Sequence, residues 1–349
     1  MNIETLVRQN ILSLKPYVAA RHSHVDGLLL DANENPMGSV VEYDSLDLNR
    51  YPDPNQILLR TVVSEFISIP IENICFGVGS DELIDLYIKI FCNPGIDEVI
   101  VCEPTYGMYR VCSNINGVAV KNVPLNSNYD IDYDSISESI TANTKIIFLC
   151  SPNNPSGNLL NYEAIIKLAS TKNVMIVVDE AYIDFTLGNG LAYEVLKYPN
   201  LAVLRTFSKA WGLAGIRCGY SIASEFITQL LFKVKAPYNI SKVTSDLVIK
   251  AIKNNAQYFN FVNEIIDERK MVYARLKKME NVIKVLPSDA NFISFFVDEP
   301  KKIYKNLEAS GIIIRDRSNQ YNFKGGLRVS IGTKEENNKF LEALEKALT

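Results

Sequence analysis

The sequence predicts an α/β protein with a mostly parallel sheet packed between helices, plus a smaller α+β lobe, and three observations carry that expectation. Between residues 70 and 225, short β-rich runs alternate with helical apolar periods, the pattern that lays helices over both faces of a sheet. After residue 280 the order changes to strands interleaved with two helices. The chain has 349 residues, 47% hydrophobic and 22% charged, enough for one large domain with a smaller companion and a cleft between them.

The elements follow from local periodicity. A helix is expected from Ser80, because Leu83, Leu86, Tyr87, Ile90 and Phe91 recur at spacings of three and four, and Asn93-Pro94-Gly95 stops it. Strands are expected at 99–102, 145–150, 174–178 and 201–204, with a helix at about 162–170. A long helix at about 256–279 carries Phe259, Val262, Ile266, Val272, Tyr273 and Leu276 on one side and is expected to join the lobes. In the second lobe 291–296 and 327–331 read as strands, and helices lie near 301–310 and 335–347. There is no internal repeat, and no linker is rich enough in Gly, Ser or Pro to separate independent domains.

Composition excludes several function classes. Thirty-six Lys and Arg against 40 Asp and Glu give a formal charge of −4, with no run of five or six basic residues, so a nucleic-acid partner is not expected. The longest apolar runs fall far short of the ~18–20 residues that cross a bilayer, so no membrane partner is expected. The N-terminus has Glu4 and no basic head with a cleavage site, which makes the cytosol the expected location. The six cysteines include no CxxC pair and are read as small hydrophobes. Only His22 and His24 exist, so neither a histidine-dependent hydrolase nor a metal centre is expected. Acid–base chemistry then rests on Lys, Tyr, Asp, Glu or a bound cofactor.

Four segments at strand ends hold unusual polar residues, where open α/β sheets bind ligands. Gly77-Val78-Gly79-Ser80-Asp81-Glu82 opens a helix whose free N–H groups suit a phosphate, although Ser80 could simply be an N-cap. Ser151-Pro152-Asn153-Asn154-Pro155-Ser156-Gly157 is a rigid turn after a strand. Asp179-Glu180-Ala181-Tyr182 puts two acids after a buried strand, where an ionised carboxylate needs a partner. In the segment from Arg205 to Gly219, Lys209 follows a buried strand with a second cation, Arg217, eight residues on. An amine held beside an apolar site has its pKa lowered and can form a Schiff base.

These runs, SPNNPSG, DEAY and TFSKAWGLAGIRCG, closely resemble the pyridoxal-phosphate aminotransferases of the aspartate-aminotransferase-like fold. Further segments, LDANENP at 30–36, LNRYPDP at 48–54, EPTYGMY at 103–109, GIIIRDR at 311–317 and GLRVSIGT at 326–333, are similar to the histidinol-phosphate aminotransferases. The resemblance implies a pyridoxal-phosphate-dependent transferase fold with a seven-stranded type of sheet. It divides the chain into residues 1–40, an N-terminal segment that joins the small domain and covers the site, a cofactor-binding large domain at 41–235 and a small domain at 236–349.

By the same resemblance Lys209 is the lysine that holds pyridoxal 5′-phosphate and moves the substrate proton, and Asp179 keeps the pyridine nitrogen protonated. Tyr182 and Asn154 bond the ring oxygen, and Tyr106 stacks on the ring. Ser80, Asp81, Thr206, Ser208 and Arg217 hold the phosphate. Tyr51 reaches the neighbouring site of a homodimer. Arg328 and Arg315 are implied as anion-binding residues for histidinol phosphate and for 2-oxoglutarate or glutamate, with Tyr17 and Asn33 in the segment over the pocket. An ion pair of Arg315 with Asp316 or Asp298 remains an alternative. The motifs also suit an aromatic-amino-acid aminotransferase or a threonine-phosphate decarboxylase. A non-catalytic binding protein would not require Lys209, Asp179 and the phosphate residues together, and a nicotinamide dehydrogenase is opposed by the missing third glycine after Gly79.

Overall fold

The computed structural model describes residues 3–16, 40, 41, 43, 46–188 and 190–349. Its main sheet contains β1 (Ile74–Val78), β2 (Glu98–Val101), β3 (Ala119–Asn122), β4 (Thr144–Cys150), β5 (Met175–Asp179), β6 (Leu201–Thr206) and β7 (Cys218–Ile222). The spatial order is β1-β7-β6-β5-β4-β2-β3. β7 runs antiparallel to both β1 and β6, and every other neighbouring pair is parallel.

The two-residue period of the strands sorts their side chains into two cores. Ile146, Phe148 and Cys150 of β4 join Met175 and Val177 of β5 on one face. That face is covered by α1 (Gln9–Leu12), α3 (Gly79–Phe91), α4 (Met108–Ile115) and α7 (Glu225–Val234). Ile147 and Leu149 point the other way with Ile176 and Val178, toward α2 (Ile57–Ile67), α5 (Tyr133–Ser139), α6 (Tyr162–Thr171) and α8 (Lys242–Lys253). Because both faces are covered, the central strands are apolar throughout and every residue of β5 is buried. Each large aliphatic side chain removed from water there contributes about 1.5–3 kcal/mol, before the entropy of ordering the chain is subtracted. α8 lies beyond residue 235 yet packs on α2 over the large sheet.

A second, fully antiparallel sheet contains β8 (Lys284–Val285), β9 (Phe292–Phe296), β10 (Arg315–Asp316) and β11 (Gly326–Ser330), in the order β10-β11-β9-β8. One face carries Ile293, Phe295, Leu327 and Val329 into a core completed by α9 (Ala256–Leu276), α10 (Pro300–Ala309) and α11 (Lys334–Leu348). α10 starts with proline at its first position, where no N–H is needed, and α11 starts with a capping box between Thr333 and Glu336. The long helix does join the lobes. Val262 and Ile266 of α9 pack with Tyr182, Phe185 and Ala210, and about two to three turns beyond Ile266, Val272 and Leu276 enter the second core. The opposite face of the second sheet, bearing Phe292, Ser294 and Arg328, meets the large lobe: Phe292 packs edge-on against Tyr182 at 5.1 Å, and Ser294 donates to the Pro155 carbonyl.

Candidate active site

β4, β5 and β6 end side by side, and the loops leaving them carry the SPNNPSG run, Asp179 to Tyr182, and Thr206 to Arg217. With the start of α3 they enclose a cavity of about 220 Å³ lined by Ser80, Asp81, Tyr106, Asp179, Tyr182, Thr206, Ser208, Lys209 and Arg217, together with Cys150 and Ala181. Nine residues expected from sequence to act together therefore meet, although they span nearly 140 positions. A larger cavity of about 550 Å³ lies between α1, α2 and α7 and contains none of them.

The two adjacent acids of the third segment have different surroundings. Glu180 is held by the Arg205 guanidinium at 2.9 and 3.0 Å and accepts the Leu191 N–H at 2.6 Å, so its charge is paired inside the protein. Removing one member of such a buried pair costs about 3–5 kcal/mol. Asp179 is 3% exposed and, among the described residues, accepts only neutral donors, the Tyr109 hydroxyl at 2.8 Å and the Ala181 N–H at 3.1 Å. Burial pushes its carboxyl up to about 6, against the lowering effect of those two bonds. Tyr109 had no role in the sequence reading. It is the second residue of α4, three positions after Tyr106, is fully buried and stacks on Phe148 at 5.1 Å. The pair of tyrosines three apart was the available signal.

Lys209 opens into the cleft with its ammonium 5.7 Å from the centre of the Tyr182 ring. Burial, and then the positive charge of Arg328, lowers its pKa. At the other end of the cavity, the first turn of α3 packs directly against β7. A Cβ on Gly219 would lie 2.6 Å from the Ser80 nitrogen, and one on Gly79 would lie 2.6 Å from the Arg217 guanidinium. Two glycines thus let a helix N-terminus and an arginine converge. Arg217 donates to the Ser208 hydroxyl at 3.2 Å and lies 3.7 Å from the Asp81 carboxylate. Asp81 also accepts the Tyr106 hydroxyl at 3.0 Å, so any anion here meets its backbone N–H rather than its side chain. Ser80 does not cap α3. The helix begins at Gly79, and Glu82 accepts the Val78 N–H instead.

Asn154 joins this cavity to the second sheet. Its amide donates to the Tyr182 hydroxyl at 3.3 Å and its carbonyl accepts from Arg328, whose guanidinium also lies 5.0 Å from the Phe292 ring. Arg315 pairs opposite Arg328 across β10 and β11, and among the described residues it makes no ion pair with Asp316 or Asp298. Tyr51 is half-exposed, stacks on Tyr238 at 4.5 Å and does not line its own chain's cavity. Tyr17 and Asn33 lie outside the described residues.

The cavity therefore brings together a buried carboxylate with no ion pair among the described residues, a helix N-terminus with arginine and hydroxyls, and an amine of lowered pKa. A planar ring with a cationic nitrogen and a phosphate tail complements this charge pattern. Over residues 25–344 the chain matches the family described as aminotransferase class I and II. It is 43% identical over 349 residues to the histidinol-phosphate aminotransferase of Christiangramia forsetii, covering 99% of this chain and 98% of that protein. It is 41% identical over 346 residues to the histidinol-phosphate aminotransferase of Cytophaga hutchinsonii, covering 99% of each. The crystal structure of the histidinol-phosphate aminotransferase from Clostridium acetobutylicum matches with a TM-score of 0.80 at 28% identity, over 86% of this chain and 91% of that one. By sequence and by fold, this chain belongs to the class I and II aminotransferase family.

Proposed function

We propose that this protein uses pyridoxal 5′-phosphate to transfer the amino group of L-histidinol phosphate to 2-oxoglutarate, giving imidazole-acetol phosphate and glutamate. The carrying observation is the shared cavity of Lys209, whose pKa is lowered, and Asp179, a buried acid that makes no ion pair among the described residues. When bound, the cofactor supplies a carbonyl that exchanges with the substrate amine and a ring that withdraws electrons from the substrate carbanion. Asp179 would hold its ring nitrogen, Asn154 and Tyr182 its ring oxygen, Tyr106 its face, and Ser80, Asp81, Thr206, Ser208 and Arg217 its phosphate.

The chain's own groups divide the work. Lys209 takes the proton from the substrate Cα, because a lowered pKa leaves more of its amine neutral at working pH. Asp179 stays ionised when a cation sits against it, since the charge pair offsets the desolvation that otherwise raises its pKa. The Tyr182 hydroxyl is kept protonated by burial and oriented by Asn154. Arg328 and Arg315 bind the substrate's phosphate in one half-reaction and a carboxylate in the other. Tyr51 sits away from its own cavity, which supports its delivery to the neighbouring chain's cofactor phosphate in a homodimer.

The test is to add histidinol phosphate, with no keto acid, to the cofactor-loaded protein. One equivalent of keto product per site is expected from the wild type and none from Lys209→Ala. Product from Lys209→Ala would overturn the mechanism. Faster conversion of tyrosine or phenylalanine, or carbon dioxide release from threonine phosphate, would overturn the substrate assignment.

A further inference from the structure

The hairpin of β10 and β11 carries one more cation than that reading uses. Arg315 faces Arg328, Asp316 faces Leu327, and the Arg317 N–H continues the ladder by donating to the Gly326 carbonyl at 2.9 Å. The two-residue period of a strand puts Arg317 on the same face as Arg315, and residues directly opposite in an antiparallel pair share a face, which adds Arg328. Leu327 on the other face is fully buried in the small-lobe core, so the arginine face is the one turned to Asn154 and Tyr182.

Three guanidiniums on one small patch repel each other, and no described residue neutralises them. Among the described residues none of the three has a carboxylate within ion-pair distance, and the nearest acid in sequence, Asp316, instead accepts the Ser318 N–H at 2.8 Å. The Nε groups of both Arg317 and Arg328 are buried with no hydrogen-bond partner among the described residues. Burial first, and then the neighbouring arginine charges, lowers the pKa of both. One forked guanidinium satisfies a carboxylate of charge −1. A phosphate monoester carries about −1.5 to −2 at pH 7 and offers three acceptor oxygens, which matches a larger cluster.

We propose that Arg317 is a specificity-determining residue that selects a dianionic phosphate over a carboxylate at the substrate end of the cleft. This rests on the transaminase reading, and the experiment separates the two. Arg317→Gln should raise KM for histidinol phosphate by about 10- to 100-fold, the range expected for one charge-assisted hydrogen bond, with kcat within about twofold. KM for glutamate in the reverse half-reaction should change by less than about twofold. Arg317→Lys keeps the charge but loses the fork. It should fall between the two proteins for histidinol phosphate, and inorganic phosphate should compete at least fivefold less well than in the wild type. Equal rises in KM for both substrates, or no change for either, would overturn the assignment of Arg317 while leaving the transaminase intact. A wild-type protein inert toward histidinol phosphate would sink both.

Discussion

Asp179 ends a strand with no residue exposed, and of the pair 179–180 it is the acid that makes no ion pair among the described residues. In the cofactor-free protein its folded pKa of about 6 exceeds the ordinary 3.8, so folding favours the protonated acid. That contribution to stability is fully present below about pH 4 and is lost as pH rises through 6. The displacement is worth roughly 3 kcal/mol. Asp179→Asn removes this pH dependence, because a neutral amide can accept the Ala181 N–H and donate to the Tyr109 hydroxyl. Thermal melts of cofactor-free protein at pH 8 should then show the variant more stable than the wild type, with the difference vanishing near pH 4. Turnover should fall by orders of magnitude. A variant less stable than the wild type at pH 8 would show that Asp179 is compensated by something other than cofactor.

At the scale of elements, the contact between α3 and β7 builds the end of the cavity proposed to take the cofactor phosphate. It depends on Gly219, whose Cβ would meet three backbone atoms, the Ser80 nitrogen at 2.6 Å, the Gly79 carbonyl carbon at 2.8 Å and the Arg205 carbonyl oxygen at 2.9 Å. Backbone atoms of a packed strand and helix cannot move aside cheaply. Gly219→Ala is expected to cost about 1–3 kcal/mol in thermal stability and to weaken pyridoxal-phosphate binding by at least tenfold in an equilibrium titration. Gly215, four residues earlier, has nothing within 4 Å of its missing Cβ, and Gly215→Ala should change neither quantity measurably. Similar losses in both variants would place the effect in the loop rather than in the helix–strand contact.

For the whole molecule, the loop after β4 seals the two lobes. Ser294 donates to the Pro155 carbonyl, the Asp289 N–H donates to the Gly157 carbonyl at 2.7 Å, and the Asp289 carboxylate accepts the Leu159 N–H at 3.0 Å. Arg328 is thereby carried from the small lobe to Asn154. The proposed homodimer would add a second level of assembly, which hybrid dimers can read. Tyr51→Phe and Lys209→Ala chains, each impaired alone, should on mixing and exchange form hybrid dimers with about half of the wild-type activity each, about a quarter for the equimolar mixture. Mixing leaves one site with both an intact lysine and an intact partner tyrosine. No recovery above the Tyr51→Phe level would mean that Tyr51 serves its own chain.

The sequence by itself determined the apolar periods and the chemistry-bearing runs. β4, β5 and β6 were legible because strands buried on both faces are continuously apolar, and α3, α9 and α11 because their buried residues keep a helical period. β3 and β7 were not anticipated. One is a partly exposed edge and the other contains Gly219 and Ser221, so neither carries a strong apolar signal. Only the tertiary structure could separate neighbours of the same type. Asn153 is enclosed by Thr105, Pro104 and Ser156, whereas Asn154 reaches Tyr182 and Arg328. It also brought Tyr109 to Asp179 across 70 positions and set Arg317 beside Arg315 and Arg328. Local patterns encode which surfaces leave water. Which polar group then meets which depends on packing between segments distant in the chain, and no single window of sequence contains that information.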